Sequence, residues 1–231
     1  MERCIRPELL DELPWDDPSA VQSRRDLLRV NAWMGNAGII ARMLGSTCQR
    51  PAVRRLVDLG AGDGKLLLRA ARQLSDEWRG TSAVLLDRRN IVSPETRQAF
   101  AALGWDATLV EAEALDWLSQ PDAPACDAMV VNLFLHHFPA AQLAELLRAA
   151  SRMTCAFIAV EPRRSARILF FSRLLRLIGC NRVTRHDAPI SVCAGFTGQE
   201  LSQLWPAGQG WSLQERPAGW SSHLFVAQRR E

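Results

Sequence analysis

The run Leu56-Val57-Asp58-Leu59-Gly60-Ala61-Gly62-Asp63-Gly64-Lys65 constrains this chain more than any other part of it. An apolar strand ends in an acid, glycines follow at alternate positions, and Leu66-Leu67-Leu68-Arg69-Ala70-Ala71 then carries strong helix propensity. A strand–loop–helix turn of this kind lets a nucleoside cofactor approach the backbone where no Cβ interferes.

Strand-like and helix-like segments alternate from Val53 onward. Strands are predicted at Val53–Leu59, Ser82–Asp87, Ala107–Glu111, Asp127–Asn132 and Cys155–Val160, and helices at Gly64–Leu74, Ser93–Leu103, Glu113–Leu118 and Pro139–Arg152. Ser93 is the expected N-cap of its helix, with Pro94 in the first helical position. Strands apolar on both faces and separated by helices imply a parallel sheet covered on both sides. Near the end, Thr197 and Glu200 have the spacing of a capping box. Gly210–Glu215 and Ser222–Gln228 then read as a hairpin that adds an antiparallel strand. The expected fold is α/β: a Rossmann-like, doubly wound, seven-stranded sheet, mostly parallel, with an N-terminal helical cap.

Two pieces fall outside the alternation: residues 1–50, helical from Ala20 to Leu44, and an insert at about 163–195. With 231 residues and 48% hydrophobic content the chain can bury one large core, so both pieces are expected to pack on a single domain, 51–231. The net charge of +3 is too small for non-specific nucleic-acid binding. Lys65 is the only lysine, a bias that a GC-rich genome produces without any functional cause. The six cysteines are scattered, with no Cys/His cluster at zinc spacing, so no metal is expected. The N-terminus has no signal-like apolar stretch, and no apolar run is long enough to span a bilayer. A reducing cytoplasm is the expected compartment.

The glycine spacing separates two cofactor classes. A dinucleotide loop needs a third glycine three residues after the second, and Lys65 stands there. The pattern Asp-x-Gly-x-Gly-x-Gly, with Asp58 at the strand end, suits a cofactor that presents an ammonium group. It resembles motif I of the class I S-adenosylmethionine-dependent methyltransferases, and the resemblance runs from about Val53 to the C-terminus. It implies S-adenosylmethionine as cofactor, held by Asp58, Gly60, Ala61, Gly62 and Gly64. Asp87 and the neighbouring Arg88 close the second strand, where the family has an acid on both ribose hydroxyls; one carboxylate accepts two parallel hydrogen bonds. Glu113 and Ala114 stand where the family contacts the adenine amine, with Glu113 in place of the usual Asp. Asn132 and Leu133 open the stretch after the fourth strand, and the terminal hairpin matches the family's antiparallel seventh strand.

A sulfonium methyl is already electrophilic, so such an enzyme must align a nucleophile and exclude water. A base is needed only where the acceptor is still protonated. His136 and His137 follow the fourth strand at the edge where open α/β sheets bind ligands. Leu135-His136-His137-Phe138 is similar in part to the Leu-His-Asp-Trp motif of plant-type phenolic O-methyltransferases, which makes His136 a candidate base. The alternative for His136, and the favoured role for His137, is structural. Asn132-Leu133-Phe134-Leu135 lacks the Asn/Asp-Pro-Pro-aromatic motif of nucleic-acid amino-methyltransferases, and the chain has no tyrosine.

The inserts are expected to carry acceptor specificity. Trp33 and Met34 are candidates for an apolar wall, and Arg24, Asn31 and Asn36 for polar contacts; a helix break is expected at Gly35-Asn36. The stripe Leu27, Val30, Trp33, Met34 suits simple packing equally well. Glu161 and Arg163 leave the fifth strand at the ligand-facing edge, and His186-Asp187 is placed in a loop over the site. Arginines crowd the second insert between Ile168-Leu169-Phe170-Phe171 and Leu174-Leu175-Leu177-Ile178. A solvated face over an apolar wall is the first expectation there. An arginine lid for an acidic acceptor and a peripheral membrane contact through 165–178 are the others. The expected activity is methylation of a small, mainly apolar acceptor, first as O-methylation of a phenolic or polyketide-like metabolite. The alternatives are N- or C-methylation of quinone type, or a catalytically silent cofactor-binding scaffold.

Overall fold

The computed structural model describes residues 1–47, 54–74, 76–120, 124–206, 208 and 210–230. Seven strands form one sheet in the order β3-β2-β1-β4-β5-β7-β6. They are β1 (Arg55–Leu59), β2 (Ser82–Asp87), β3 (Asp106–Glu111), β4 (Cys126–Asn132), β5 (Thr154–Pro162), β6 (Trp211–Ala218) and β7 (Ser222–Arg229). β1 to β5 pair in parallel, whereas β7 runs antiparallel to both β5 and β6. The predicted strands therefore form as expected, and the terminal hairpin supplies the antiparallel one. The predicted start at Val53 lies outside the described residues.

The sheet separates two apolar layers, and the pleat decides which residue joins which. Leu56, Ala128, Val130, Ile158 and Val160 face one side, and Val57, Met129, Val131, Phe157 and Ala159 the other. The first side is covered by α3 (Asn36–Thr47), α4 (Lys65–Ala71) and α5 (Pro94–Ala102), through Ile40, Leu44, Leu67 and Phe100. The second is covered by α6 (Ala114–Leu118), α7 (Ala140–Met153) and α10 (Glu200–Leu204), through Trp117, Leu143, Leu147 and Leu201. β1 lies between β2 and β4, where the order of strands reverses, so a crevice opens beyond its C-terminal end.

Before β1 come α1 (Leu9–Glu12) and α2 (Pro18–Met34). Asp17 caps α2 by accepting from the N–H groups of Ser19 (2.7 Å) and Ala20 (3.3 Å), with Pro18 in the first helical position. Gly35, at φ +70°, ends α2, and Asn36 begins α3, which is the break expected at Gly35-Asn36. As predicted, the Ser93 hydroxyl accepts from the Thr96 N–H (3.2 Å) to cap α5.

The insert folds as α8 (Ala166–Ser172), a 3₁₀ segment Arg173–Ile178 and α9 (Arg182–Ala194). Three expectations fail in this half. His186-Asp187 lies on α9 and not in a loop: Asn181 caps the helix through the Thr184 N–H (2.9 Å), and α9 continues past Pro189. Thr197 does not cap α10, which starts only at Glu200 after a turn through Gly198 (φ +62°); Glu200 still accepts from the Thr197 N–H (3.0 Å). Finally, Phe170, Phe171 and Leu177 are exposed, so the insert does not present a purely polar face to solvent.

Candidate active site

Beyond the C-terminal ends of β1, β2, β3 and β4 lies a cleft with two adjoining lobes, of about 550 and 260 Å³. The larger is lined by Asp87, Arg88, Glu113, Ala114, Phe134 and His137, and the smaller by Asp58, Ala61, Gly62, Asn132 and Asn31. Gly60, Leu133, His136 and also His137 border both.

The glycine loop is tied to the neighbouring strand. The N–H groups of Gly60 and Ala61 donate to the Leu86 carbonyl (2.9 and 3.0 Å), and the Gly62 N–H donates to Asp87 Oδ2 (2.8 Å). Gly60 has a φ of +77°, and a Cβ there would stand 2.6 Å from the Phe134 ring, so glycine is required twice over. Gly64 does not line the cleft. At φ +71° it starts α4 next to Leu85.

Asp58 is buried, and no hydrogen bond to its carboxylate is formed among the described residues. Burial, with the charges of Asp87 and Asp63 added, pushes its pKa up to about 7. The Asn31 Oδ1 atom, on the same lobe, is also buried without a hydrogen-bond partner. An unpaired carboxylate and an unpaired amide oxygen facing one small cavity fit a ligand that brings N–H donors and positive charge. Asn132 is already engaged, accepting from Asn36 Nδ2 (2.8 Å).

The turn after β4 is strained. Leu133 is the only described non-glycine residue in the left-handed region, at φ +50°. The strain is held from below by Glu161, fully buried on β5, which accepts the N–H groups of Phe134 and Leu135 (both 2.9 Å). Its second oxygen lies 2.8 Å from His136 Nδ1. The other ring nitrogen, Nε2, lies 3.6 Å from Glu8 Oε1. Burial alone disfavours the His136 imidazolium, but the two carboxylates outweigh it and raise the pKa to about 9. Burial and the His136 charge push His137 the opposite way.

Not every expected site residue reaches the cleft. Trp33 is exposed away from it, and Met34 faces a different surface hollow. Asn36 is buried, bridging Asn132 and the Ser222 hydroxyl (2.7 Å). Arg163 donates to the Trp220 carbonyl (2.7 Å), and His186 pairs with Asp187 (2.8 Å) on the surface of α9. Glu161 bears on the site through His136 and the turn, rather than by lining the cleft.

The main residues that sequence reasoning missed lie between Ile5 and Asp11, where nothing periodic marks them. Ile5, Arg6, Pro7, Glu8 and Asp11 close one side of the cleft. Asp187 holds this segment by accepting from the Leu9 and Leu10 N–H groups (2.9 and 3.0 Å). Arg3 donates to the carbonyls of Ala194, His136 and Phe138 (2.8, 3.2 and 3.1 Å). Glu8, His136 and His137 consequently present ligand atoms within 4.8 Å of one another, a three-donor group that the linear spacing did not suggest.

Residues 56–155 match the family model described as a methyltransferase domain. No curated protein matches the sequence significantly. Among solved structures, the chain is similar to the plantazolicin methyltransferase BpumL, in complex with SAH (S-adenosylhomocysteine), at 13% identity and a TM-score of 0.65, over 94% of this chain and 92% of that one. It is also similar to the magnesium protoporphyrin IX methyltransferase ChlM from Synechocystis PCC 6803, with bound SAH (13%, TM-score 0.58, 94% and 96%). A third is the mitomycin 7-O-methyltransferase MmcR (16%, TM-score 0.62), of which the chain spans 60% of the length and is itself covered over 96%. Residues 56–155 thus carry a methyltransferase domain, and the fold over nearly the whole chain is the one found in these S-adenosylmethionine-dependent methyltransferases.

Proposed function

We propose that the protein O-methylates a small, largely apolar hydroxyl acceptor, phenolic or polyketide-like, with His136 as general base. The observation that carries the reading is the fixed imidazole: Nδ1 is held by a fully buried carboxylate, and Nε2 lies 3.6 Å from Glu8 Oε1, with both His136 and Glu8 bordering the cleft. S-adenosylmethionine supplies an electrophilic methyl when bound. The residues that would hold it are Asp58 and Asn31 toward its ammonium group, the Gly60–Gly62 backbone, Asp87 toward the ribose, and Glu113 with Ala114 toward the base.

What the chain does is position, shield and take a proton. With Nδ1–H on Glu161, the lone pair of neutral His136 sits on Nε2, where an acceptor hydroxyl can deliver its proton. The imidazolium that results lies between Glu161 and Glu8, which both favour it. A pKa near 9 brings the ring close to a phenol, whose pKa is about 10, so the transfer is nearly balanced. Phe134, Leu133 and the Ile5–Asp11 segment wall off water. O-methyltransferases are among the structurally similar proteins, which supports this reading of the acceptor atom.

The test is transfer of a labelled methyl from S-adenosylmethionine to alkylated phenols. Wild type is expected to show kcat/KM rising with pH through a midpoint near 9 and levelling off only above it, since His136 must lose its proton first. His136→Gln is expected to lower kcat by about 10²- to 10⁴-fold and remove that limb. An unchanged rate and profile in the variant would end the base assignment. So would activity lost to a chelator and restored by a divalent ion, which would favour a metal held by Glu8, His136 and His137. Transfer to nitrogen or carbon with His136 dispensable would favour the quinone-type alternative.

A further inference from the structure

Nine large apolar side chains are strongly exposed among the described residues, and five of them are drawn from the insert and the two tryptophans beside it. Leu177 is 72% exposed, Trp33 62%, Phe170 59%, Trp220 48% and Phe171 41%. Their contacts tie four of them into one patch. Phe170 packs edge-on against Phe171 with ring centres 5.7 Å apart, Phe171 packs on Trp220 at 6.2 Å, and Trp220 Nε1 donates to the Trp33 carbonyl (3.3 Å). Leu177 is exposed on the 3₁₀ segment that directly follows α8. Burying these groups inside the fold was open to the chain, as the two apolar layers show, yet they point outward.

As far as His186, the charge of the insert has one sign. From Arg163 to His186 the sequence has seven arginines and no carboxylate. Arg164 is buried and paired with Glu200, and Arg163 is bound to the Trp220 carbonyl. Arg167, Arg173, Arg176, Arg182 and Arg185 are exposed, and among the described residues none forms an ion pair. The Arg167 guanidinium stands 5.9 Å from the Phe171 ring centre. Aromatic and leucine side chains ringed by arginine are the makings of an interfacial helix, with apolar groups entering the acyl boundary and cations meeting headgroup phosphates.

We infer that this face, formed by α8, the Arg173–Ile178 segment, Trp33 and Trp220, docks the protein on an anionic lipid membrane. A second copy of the chain fits worse: a two-fold contact here would set arginines against arginines, and the insert's one carboxylate, Asp187, is buried and taken up by the Leu9 and Leu10 N–H groups. α2 joins the two regions, since Leu27, Leu28 and Asn31 line the small lobe while Trp33 lies on the patch. Docking thus sets the cleft beside the membrane, from which an amphiphilic acceptor can be drawn. That last step rests on the proposed function, whereas docking itself does not.

Sedimentation with vesicles, in the absence of cofactor and acceptor, tests docking without any activity readout. Wild type is expected to bind vesicles of phosphatidylcholine with a quarter phosphatidylglycerol at least tenfold more tightly than pure phosphatidylcholine, and to be released as salt rises. Phe170→Ser/Leu177→Ser, two exposed changes, is expected to weaken binding at least tenfold with an unaltered circular dichroism spectrum. A double-charge variant, Arg173→Gln/Arg176→Gln, is expected to lose the preference for anionic vesicles. No binding to anionic vesicles, or binding unaffected by either variant, overturns the inference. A dimer in light scattering that Phe170→Ser/Leu177→Ser disperses, without vesicle binding, also overturns it and assigns the face to a second copy.

Discussion

Asp58 is the residue whose surroundings speak most directly. Its carboxylate accepts no hydrogen bond among the described residues and has a pKa raised to about 7, so it is half protonated near neutrality before a cofactor binds. A cationic ligand favours the ionised form, and affinity for the cofactor is expected to rise with pH from about 5.5 to 7.5 and then level off. Asp58→Asn should weaken binding and flatten that rise, measured by calorimetry at several pH values. Gly60→Ala meets both a ring at 2.6 Å and a positive φ, and is expected to cost about 1–3 kcal/mol in denaturant unfolding. The sequence made Asp58 and Gly60 conspicuous because strand-end and loop spacing are local. Glu161 and Glu8 gained their meaning only from folding, since His136 meets one from β5 and the other from the N-terminal segment.

At the scale of elements, α9 is the hinge between what was legible and what was not. Its cap at Asn181 is short and its interior contains Pro189, so the pattern reads as a loop. In the fold it holds the N-terminal segment through Asp187. Asp187→Ala is expected to leave the sheet intact and to speed amide exchange in residues 5–12, as the Leu9 and Leu10 N–H groups lose their acceptor. Where α9 ends, a Cβ on Gly195 would fall 2.2 Å from the Pro162 carbonyl oxygen. Gly195→Ala should therefore separate β5 from the insert and cost more than about 2 kcal/mol in unfolding. The strands were readable because each is a short apolar run between turns. The apolar residues of the insert had the same composition, and nothing in their periodicity marked them as outward-facing.

For the whole molecule, two buried groups work against stability as pH rises. His136 has a folded pKa near 9 against an ordinary 6.5, so its contribution is complete below about pH 6 and is lost as pH climbs through 9. Asp58, raised from 3.8 to about 7, favours the folded chain at low pH and loses that effect on ionising. Glu8, Asp26 and Glu215 are shifted down and act in the opposite sense, their effect being lost on acidification. The cofactor-free protein should thus have its highest melting temperature in mildly acidic solution and a lower one at pH 9, with His136→Gln flattening the alkaline decline. The cleft at the β1–β4 crevice is proposed to hold S-adenosylmethionine through Asp87 and the glycine loop. Titration calorimetry with S-adenosylmethionine measures it directly. Saturable one-to-one binding by wild type, reduced at least a hundredfold in Asp87→Ala, is expected; the absence of heat and saturation with the folded wild-type protein would contradict this assignment.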